Sequence, residues 1–400
     1  MPLLLSSKRL HFLPLEIVPM TKVLSLLSVA LVLFAAATAQ AVELPPTLAK
    51  EAYVMDYDTG TTLYEKKADE RMPTSSMSKV LTMIVVFDAI KAGKLSMDQT
   101  LPVSEKAWRM QGSKMWVDIN SQIKVEDLVQ GVIVQSGNDA CIVLAEGIAG
   151  SEENFAAMMN AKAKEIGMTN SNFRNASGWP DPDHYSTPRD LALMAKYLLE
   201  TDGEFYKYYS QKQFTYNNIT QGNRNPLLYA NLGADGIKTG HTEDAGYGLI
   251  GSATRNGRRV IMVINGTKSM QERADEAKKL IEWSLVSFKN INAVKKDTTY
   301  AEAPVILGQA KSVPLTVTED VKMTLPFRDT SAIKMTASYP APLKAPVKAG
   351  DVVGKLTIQV GTLTPQEVPL IAGADVVEAP FFKAALEKLM IHAVGTPTYQ

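Results

Sequence analysis

The chain is poor in the residues that build disulfides and soft-metal centres. Among 400 residues there is one cysteine, Cys141, so neither an intrachain disulfide nor a four-cysteine zinc site can form. The four histidines (His11, His184, His241 and His392) are scattered without metal-ligand spacing, and no metal or other cofactor is expected. Excess charge of either sign is also missing, because 42 Lys and Arg balance 42 Asp and Glu. A nucleic-acid partner needs a basic field, so none is expected. Internal repeats and low-complexity tracts are absent. The N-terminal apolar run, Val23 to Phe34, falls short of the roughly 20 residues of a bilayer-spanning helix.

What is present is globular. At 46% hydrophobic and 21% charged, the chain can bury substantial cores, and its length suggests two or three domains. Lys22, the apolar run and the small residues Ala35 to Ala41, with Ala39-Gln40-Ala41 as a cleavage site, read as an export signal. Residues 1–41 are therefore expected to be removed, with Met20 as an alternative start and the mature chain beginning near Val42.

Periodicity places the elements. Ala52–Tyr57 and Thr62–Tyr64 read as strands around a turn at Asp58-Thr59-Gly60. Val80–Ile90 is apolar all round and reads as a buried helix. A second apolar stretch, Leu128–Ile148, reads as helix with Gly131 and Gly137 inside it. Asn160–Ile166 is helical, residues 170–190 are loop and Leu191–Leu199 is helical again. Two apolar runs, Gly246–Ala253 and Arg259–Ile264, flank Asn256-Gly257 as a hairpin, and Arg273–Leu285 is helical. Strands at both ends with helices between them imply an antiparallel sheet whose first and last strands are neighbours. From Thr298 to Val376, short β-rich runs punctuated by Pro and Gly read as a small sandwich. In the final segment, Pro380–Val394, residues Phe382, Leu386, Leu389, Met390 and Ala393 share one face, as in a helix lying on a membrane surface. The expected organisation is a signal (1–41), a catalytic domain (42–290), a β domain (291–376) and a terminal helix with its tail (377–400).

Three short motifs carry the chemistry: Ser76-Met77-Ser78-Lys79, Ser136-Gly137-Asn138 and Lys238-Thr239-Gly240. Their order matches the nucleophilic serine signature of β-lactamases and penicillin-binding proteins. On a helix, Ser76 and Lys79 share a face at about 5–6 Å between Cβ atoms. A lysine can take the serine proton only when neutral. Burial beneath Val80–Ile90 and a second cation, Lys238, would both lower its pKa. Ser136 is placed to relay a proton to the leaving group. Asn138 can hold a substrate amide and the Lys79 ammonium. Lys238 and Thr239 offer a cation and a hydroxyl to a carboxylate, and Gly240 lets a substrate backbone lie along its strand. Cys141 reads as a small buried apolar residue and Asp190 as a cap or a partner of Arg189.

The chain resembles the low-molecular-mass penicillin-binding proteins, serine-type D-alanyl-D-alanine carboxypeptidases of the S11 peptidase type. The resemblance runs through Tyr53-Val-Met-Asp-Tyr57, Met72–Lys79, Gln135–Cys141, Tyr185–Asp190, Asn223-Arg-Asn225 and Asp235–Thr242. It implies an α+β fold: a β-lactamase/transpeptidase-like domain made of an antiparallel sheet and a helical subdomain, then a β-sandwich and a C-terminal amphipathic helix. It also implies roles. Ser76 attacks the penultimate D-alanine carbonyl and Lys79 is the base. Ser136 and Asn138 form the second catalytic element. Lys238, Thr239 and Arg224 bind the terminal carboxylate. The backbone N–H groups of Ser76 and His241 form the oxyanion hole. The partners implied are a peptidoglycan stem peptide ending in D-Ala-D-Ala and β-lactams that acylate Ser76, while the export signal and the terminal helix together point to the outer face of the cytoplasmic membrane, on the periplasmic side. Three other readings stand beside this one: a D,D-endopeptidase, a β-lactamase and a non-catalytic wall-binding scaffold. A lactamase of the glutamate-water type would have to use Glu165 and Asn170, whose spacing is one residue too long for that pattern.

Overall fold

The computed structural model describes residues 42–395. The expected export signal, residues 1–41, lies outside the described residues. So does the tail, residues 396–400.

The first half is built on a five-stranded antiparallel sheet. Its strands are β1 (Glu51–Asp56), β2 (Thr62–Lys66), β3 (Ala234–Thr242), β4 (Gly246–Arg255) and β5 (Arg258–Thr267), in the spatial order β2-β1-β5-β4-β3. The first and last strands are neighbours as expected, with Ala52 opposite Ile264 and Val54 opposite Met262. The β4–β5 hairpin turns on Asn256 (φ 53°) and Gly257 (φ 76°), the two left-handed residues that a type I′ turn requires. Strand β3, which carries the third motif, is an edge strand of the sheet.

Helices cover this sheet. Helix α1 (Lys79–Lys91) is buried on all sides from Lys79 through Phe87, as its unbroken apolar sequence predicts. Each Val, Leu, Ile or Phe buried there contributes about 1.5–3 kcal/mol, and this anchors Lys79 at the helix start. The apolar stretch 128–148 is not one helix. It forms α2 (Val125–Ile133) and α3 (Asn138–Ala149), broken at residues 134–137, where Ser136 adopts φ +61°. Helix α4 (Glu152–Ile166) ends on Gly167 in the left-handed conformation. Helix α5 (Pro188–Thr201) begins earlier than expected, because Thr187 accepts the Asp190 N–H as its N-cap and Pro188 fits the first turn. Helix α6 (Met270–Ser287) packs behind β4 and β5.

The second half is all-β. Strands β6 (Phe288–Val294) and β9 (Val321–Pro326) pair as one ribbon. A six-stranded sheet has the order β10-β12-β13-β8-β7-β11. These strands are β7 (Ala301–Ile306), β8 (Ser312–Thr316), β10 (Ile333–Ser338), β11 (Leu343–Lys344), β12 (Val352–Val360) and β13 (Gln366–Ala372). Val313, Leu315, Met323, Leu325, Ile358 and Leu370 fill the core between them. The two halves meet at polar contacts: Thr59 Oγ1 lies 2.6 Å from Thr324 Oγ1, and Asn290 donates to Asp56 at 3.1 Å. Asp56 also receives Arg258 in a buried ion pair at 2.7 Å. Helix α7 (Phe381–Val394) closes the described chain. Its apolar residues Phe382, Leu386, Leu389 and Met390 are 56–86% exposed.

Candidate active site

The nucleophile turn is strained at its entry. Ser75 adopts φ +49°, a conformation that costs a non-glycine residue about 1–3 kcal/mol. Residues Ser75–Ser78 form a single 3-10 turn that leads directly into α1. The turn brings Ser76 Oγ within 2.8 Å of Lys79 Nζ.

Lys79 is 1% exposed. Its ammonium donates to three oxygens: Ser76 Oγ, Asn138 Oδ1 at 2.7 Å and the Ser177 carbonyl at 2.5 Å. Burial is the largest influence on it and lowers its pKa to about 8. The nearby Arg224 charge lowers it further. Lys79 and Lys238 also repel each other, and burial together with that repulsion pushes Lys238 well below the ordinary lysine range.

The second motif closes the opposite wall. Asn138, the first residue of α3, donates through Nδ2 to the Gln111 carbonyl at 2.8 Å while Oδ1 accepts from Lys79. Lys238 donates to Ser136 Oγ at 2.9 Å, so the second and third motifs are joined by a side-chain hydrogen bond across 102 residues of chain. Thr239 is buried beside it. Gly240 also has a packing role. A Cβ there would come within 2.9 Å of the Thr74 carbonyl and 3.1 Å of Met77, so the residue lets β3 pack closely against the nucleophile turn. The His241 ring is exposed and stacks on Tyr247 with centroids 3.9 Å apart. Arg224 reaches the rim of the same cleft and donates to Ser113 Oγ at 2.5 Å. Ser76, Asn138, Ser177, Arg224 and His241 all line this one cleft of about 410 Å3.

Several participants were not singled out from the sequence. Ser177 supplies the main-chain oxygen that holds Lys79, and its loop is fixed by Asn175 Oδ1, which accepts from the N–H groups of residues 177, 178 and 179. Asp139 is wholly buried and gathers the N–H groups of Met115, Trp116 and Val117 at 2.8–3.2 Å. It shapes the wall next to Asn138. Arg273, 5% exposed, reaches the Arg224 carbonyl at 3.4 Å, and burial lowers its pKa to about 10. Behind the nucleophile, His184 Nδ1 accepts from the Arg174 N–H, which leaves Nε2 to donate to Ser78 Oγ at 2.7 Å; Ser78 in turn meets Thr74 Oγ1 at 2.5 Å.

Other candidates are placed elsewhere. Glu165 lies exposed on α4 and pairs with Lys162 at 2.7 Å, outside the residues lining the cleft. Cys141 is buried in α3 with its thiol pushed up to about 12 by burial, as a packing residue requires. Asp190 neither caps α5 nor pairs with Arg189. It receives Asn170 N and Ser171 Oγ at 2.8 and 2.7 Å, while Arg189 pairs with Asp69 and Glu65.

A family model described as D-alanyl-D-alanine carboxypeptidase matches residues 38–269. The chain belongs to the S11 family of D-alanyl-D-alanine carboxypeptidases. A second model, the C-terminal domain of penicillin-binding protein 5, matches residues 288–378. Similar members of the family include the D-alanyl-D-alanine carboxypeptidase DacC of Escherichia coli K12, 38% identical over 89% of this chain and 91% of the relative. The DacA protein of Haemophilus influenzae is 37% identical over 88% and 91%. Among solved structures, penicillin binding protein 5 of Haemophilus influenzae superposes with a TM-score of 0.79 at 36% identity, covering 84% of this chain and all of the other.

Proposed function

We propose that the protein is a serine D,D-carboxypeptidase that removes the terminal D-alanine from peptidoglycan stem pentapeptides. The observation that carries this reading is a buried lysine of lowered pKa, Lys79, 2.8 Å from Ser76 Oγ. Neutral Lys79 takes the Ser76 proton as Oγ attacks the carbonyl of the penultimate D-alanine. The main-chain N–H groups of Ser76 and His241 receive the oxyanion. Ser136 passes a proton to the departing D-alanine nitrogen, and the C–N bond breaks to leave an ester on Ser76. Water then hydrolyses the ester. Lys238, Thr239 and Arg224 hold the substrate's terminal carboxylate, and buried Arg273 adds positive charge behind them. A β-lactam acylates the same oxygen. The exposed, salt-bridged position of Glu165 speaks against a lactamase that activates water with it.

In this reading residues 42–290 form the catalytic domain, 291–376 the β domain and 377–400 the anchoring tail. The protein is exported and rests on the outer face of the cytoplasmic membrane through the exposed apolar face of α7. Deleting residues 380–400 is expected to release it to the soluble fraction with activity per molecule kept. Continued membrane binding would remove α7 as the anchor.

The decisive experiment incubates the protein with diacetyl-L-Lys-D-Ala-D-Ala and measures free D-alanine, with fluorescent penicillin labelling in parallel. Release and a stable label are expected from the wild type, and neither from Ser76→Ala. D-alanine release by Ser76→Ala at the wild-type rate would overturn the assignment.

A further inference from the structure

Two tryptophans stand at the surface beside the catalytic cleft. Trp108 is 39% exposed and Trp116 50%. Both line one hollow of about 380 Å3, together with Arg109, Lys114, Val117 and Asp118. Tryptophan is highly buried on average, so two exposed indoles around one hollow mark an interaction surface. The hollow adjoins the active site through the chain itself. Gly112 and Ser113 line the catalytic cleft, and the next residue, Lys114, lines the hollow.

Trp116 is held in place from both sides. Its backbone has φ +70°, an outlier for a bulky residue that persists only where the surroundings impose it. Its N–H donates to buried Asp139 Oδ2 at 2.9 Å, and its carbonyl accepts from Asn217 Nδ2 at 3.1 Å. Asn217 lies in the turn between the paired strands Gln213–Tyr216 and Ile219–Gly222, and it also donates to Asp118 Oδ2 at 2.8 Å. Gln221 of the same hairpin donates to the Lys114 carbonyl at 2.9 Å. Lys114 joins the two indoles: its Nζ donates to the Trp108 carbonyl at 2.7 Å and lies 5.4 Å from the centre of the Trp116 ring. Arg109 lies 5.7 Å from the Trp108 ring. It pairs with Glu105 through Nε and one terminal nitrogen, and its other N–H groups stay available.

This mixture of groups suits a sugar. A pyranose ring offers an apolar C–H face to an indole and a rim of hydroxyl and acetamido groups to polar side chains. Here the indoles are bordered by two cationic donors and the Asp118 acceptor. Among the described residues the one aliphatic side chain lining the hollow is Val117, and it is buried, so the anchors of a groove for a protein helix are missing. A stem peptide with its carboxylate at Lys238 and Thr239 runs antiparallel to β3, past His241 and Thr242. Neither residue lines the hollow, so the peptide being cut leaves it free for the polymer around it.

Resting on the carboxypeptidase reading, we propose that Trp108 and Trp116 form a saccharide platform that binds a glycan strand of peptidoglycan, an N-acetylated amino-sugar polymer. Sugar rings stack on the indoles. Lys114 and Arg109 donate to acetamido and hydroxyl oxygens, and Asp118 accepts from a hydroxyl. The platform raises the effective concentration of stem peptides carried on polymer and leaves free peptides unaffected.

The first test titrates glycan strands stripped of their stem peptides into the protein by calorimetry. The Kd is expected to rise about tenfold in Trp108→Ala, and binding is expected to be lost when Trp116→Ala is added. The second test measures D-alanine release from glycan strands bearing pentapeptides and from diacetyl-L-Lys-D-Ala-D-Ala. Trp108→Ala is expected to lower kcat/KM about tenfold on the first substrate and to leave it unchanged on the second. Trp108 lies in the ordinary helical turn Glu105–Arg109, so its truncation does not disturb the strained backbone at Trp116. No binding of stripped strands by the wild type, or equal binding by wild type and variants, overturns the platform. So does an equal loss on both substrates, because the indoles would then only shape the loop beside Ser113. If the wild type releases D-alanine from neither substrate, the carboxypeptidase reading has failed, and the calorimetric titration still decides the platform by itself.

Discussion

Asn138 Oδ1 accepts a hydrogen bond from Lys79 Nζ at 2.7 Å. A neutral amide satisfies the ammonium without neutralising its charge, so burial remains free to depress the Lys79 pKa. Replacing that amide by a carboxylate reverses the effect. An opposite charge at this distance raises a lysine pKa, typically by about 1–3 units. Asn138→Asp is expected to slow penicillin acylation at pH 7 about 10- to 1000-fold, and to move the rise of rate with pH to more alkaline values. Asn138→Ala removes the acceptor without adding charge and is expected to slow acylation with no alkaline displacement. Stopped-flow acylation of both variants from pH 6 to 10 separates the two. Identical profiles would show that the amide does not govern the base.

The wild-type profile follows from the same lysine. With a pKa of about 8, Lys79 is mostly charged at pH 7 and becomes neutral above pH 8. If it is the base, kcat/KM for acylation rises with pH, close to tenfold per unit below the inflection, and levels off near pH 8. Lys79→Arg keeps the charge but cannot release a proton in this range, so it is expected to lose acylation at every pH. A wild-type profile flat from pH 6 to 9 would remove Lys79 from the proton transfer.

Gly178 holds the loop that carries the Ser177 carbonyl. It has φ +76°, and a Cβ there would overlap the Ser75 carbonyl. Gly178→Ala is expected to cost roughly 2–4 kcal/mol in urea unfolding and to slow acylation, since the Ser177 oxygen would move away from Lys79. Gly150→Ala is the comparison. It shares the left-handed backbone (φ +74°) but has nothing within 4 Å of a Cβ, so about 1 kcal/mol is expected. Equal costs at the two positions would mean that the contact with Ser75 contributes nothing.

Much of this site was legible in the chain. The spacing of Ser76 and Lys79, followed by an apolar helix, dictates a serine beside a buried lysine, and the Asn-Gly hairpin fixed the pairing of β4 with β5. The break between α2 and α3 was less visible. Residues 128–148 are mostly apolar on both sides of the Gln135–Asp139 stretch, and hydropathy does not register the backbone reversal at Ser136. The groups that hold the site in shape were hidden for a different reason. Ser177 acts through its carbonyl, which every residue has, and Asp139 through contacts with main-chain N–H groups more than 20 positions away. Arg273 lies on a helix whose periodicity explains the residue equally well as packing.

His184 provides a stability test independent of turnover. The ring is 4% exposed, and burial, aided by the Lys79 charge, lowers its pKa to about 4. Its Nδ1 accepts from a main-chain N–H, so the folded protein uses the neutral ring. In the unfolded chain the ring titrates near the ordinary value of about 6.5. Between those two values the unfolded state binds more protons, so the contribution to stability is fully present above pH 6.5 and is lost progressively toward pH 4. From pH 6.5 to pH 5 this amounts to about 2 kcal/mol. His184→Gln keeps one acceptor for Arg174 N and one donor for Ser78 but does not titrate. Urea unfolding of the two proteins at pH 7 and pH 5 is expected to show a loss for the wild type that exceeds the variant's by about that amount. If both proteins weaken equally on acidification, His184 is not held neutral and the relay from His184 through Ser78 to Thr74 does not run in the stated direction. If the wild type weakens more, the fold requires the neutral ring: a proton on Nδ1 removes the acceptor that the Arg174 N–H uses, while Nε2 still donates to Ser78 Oγ.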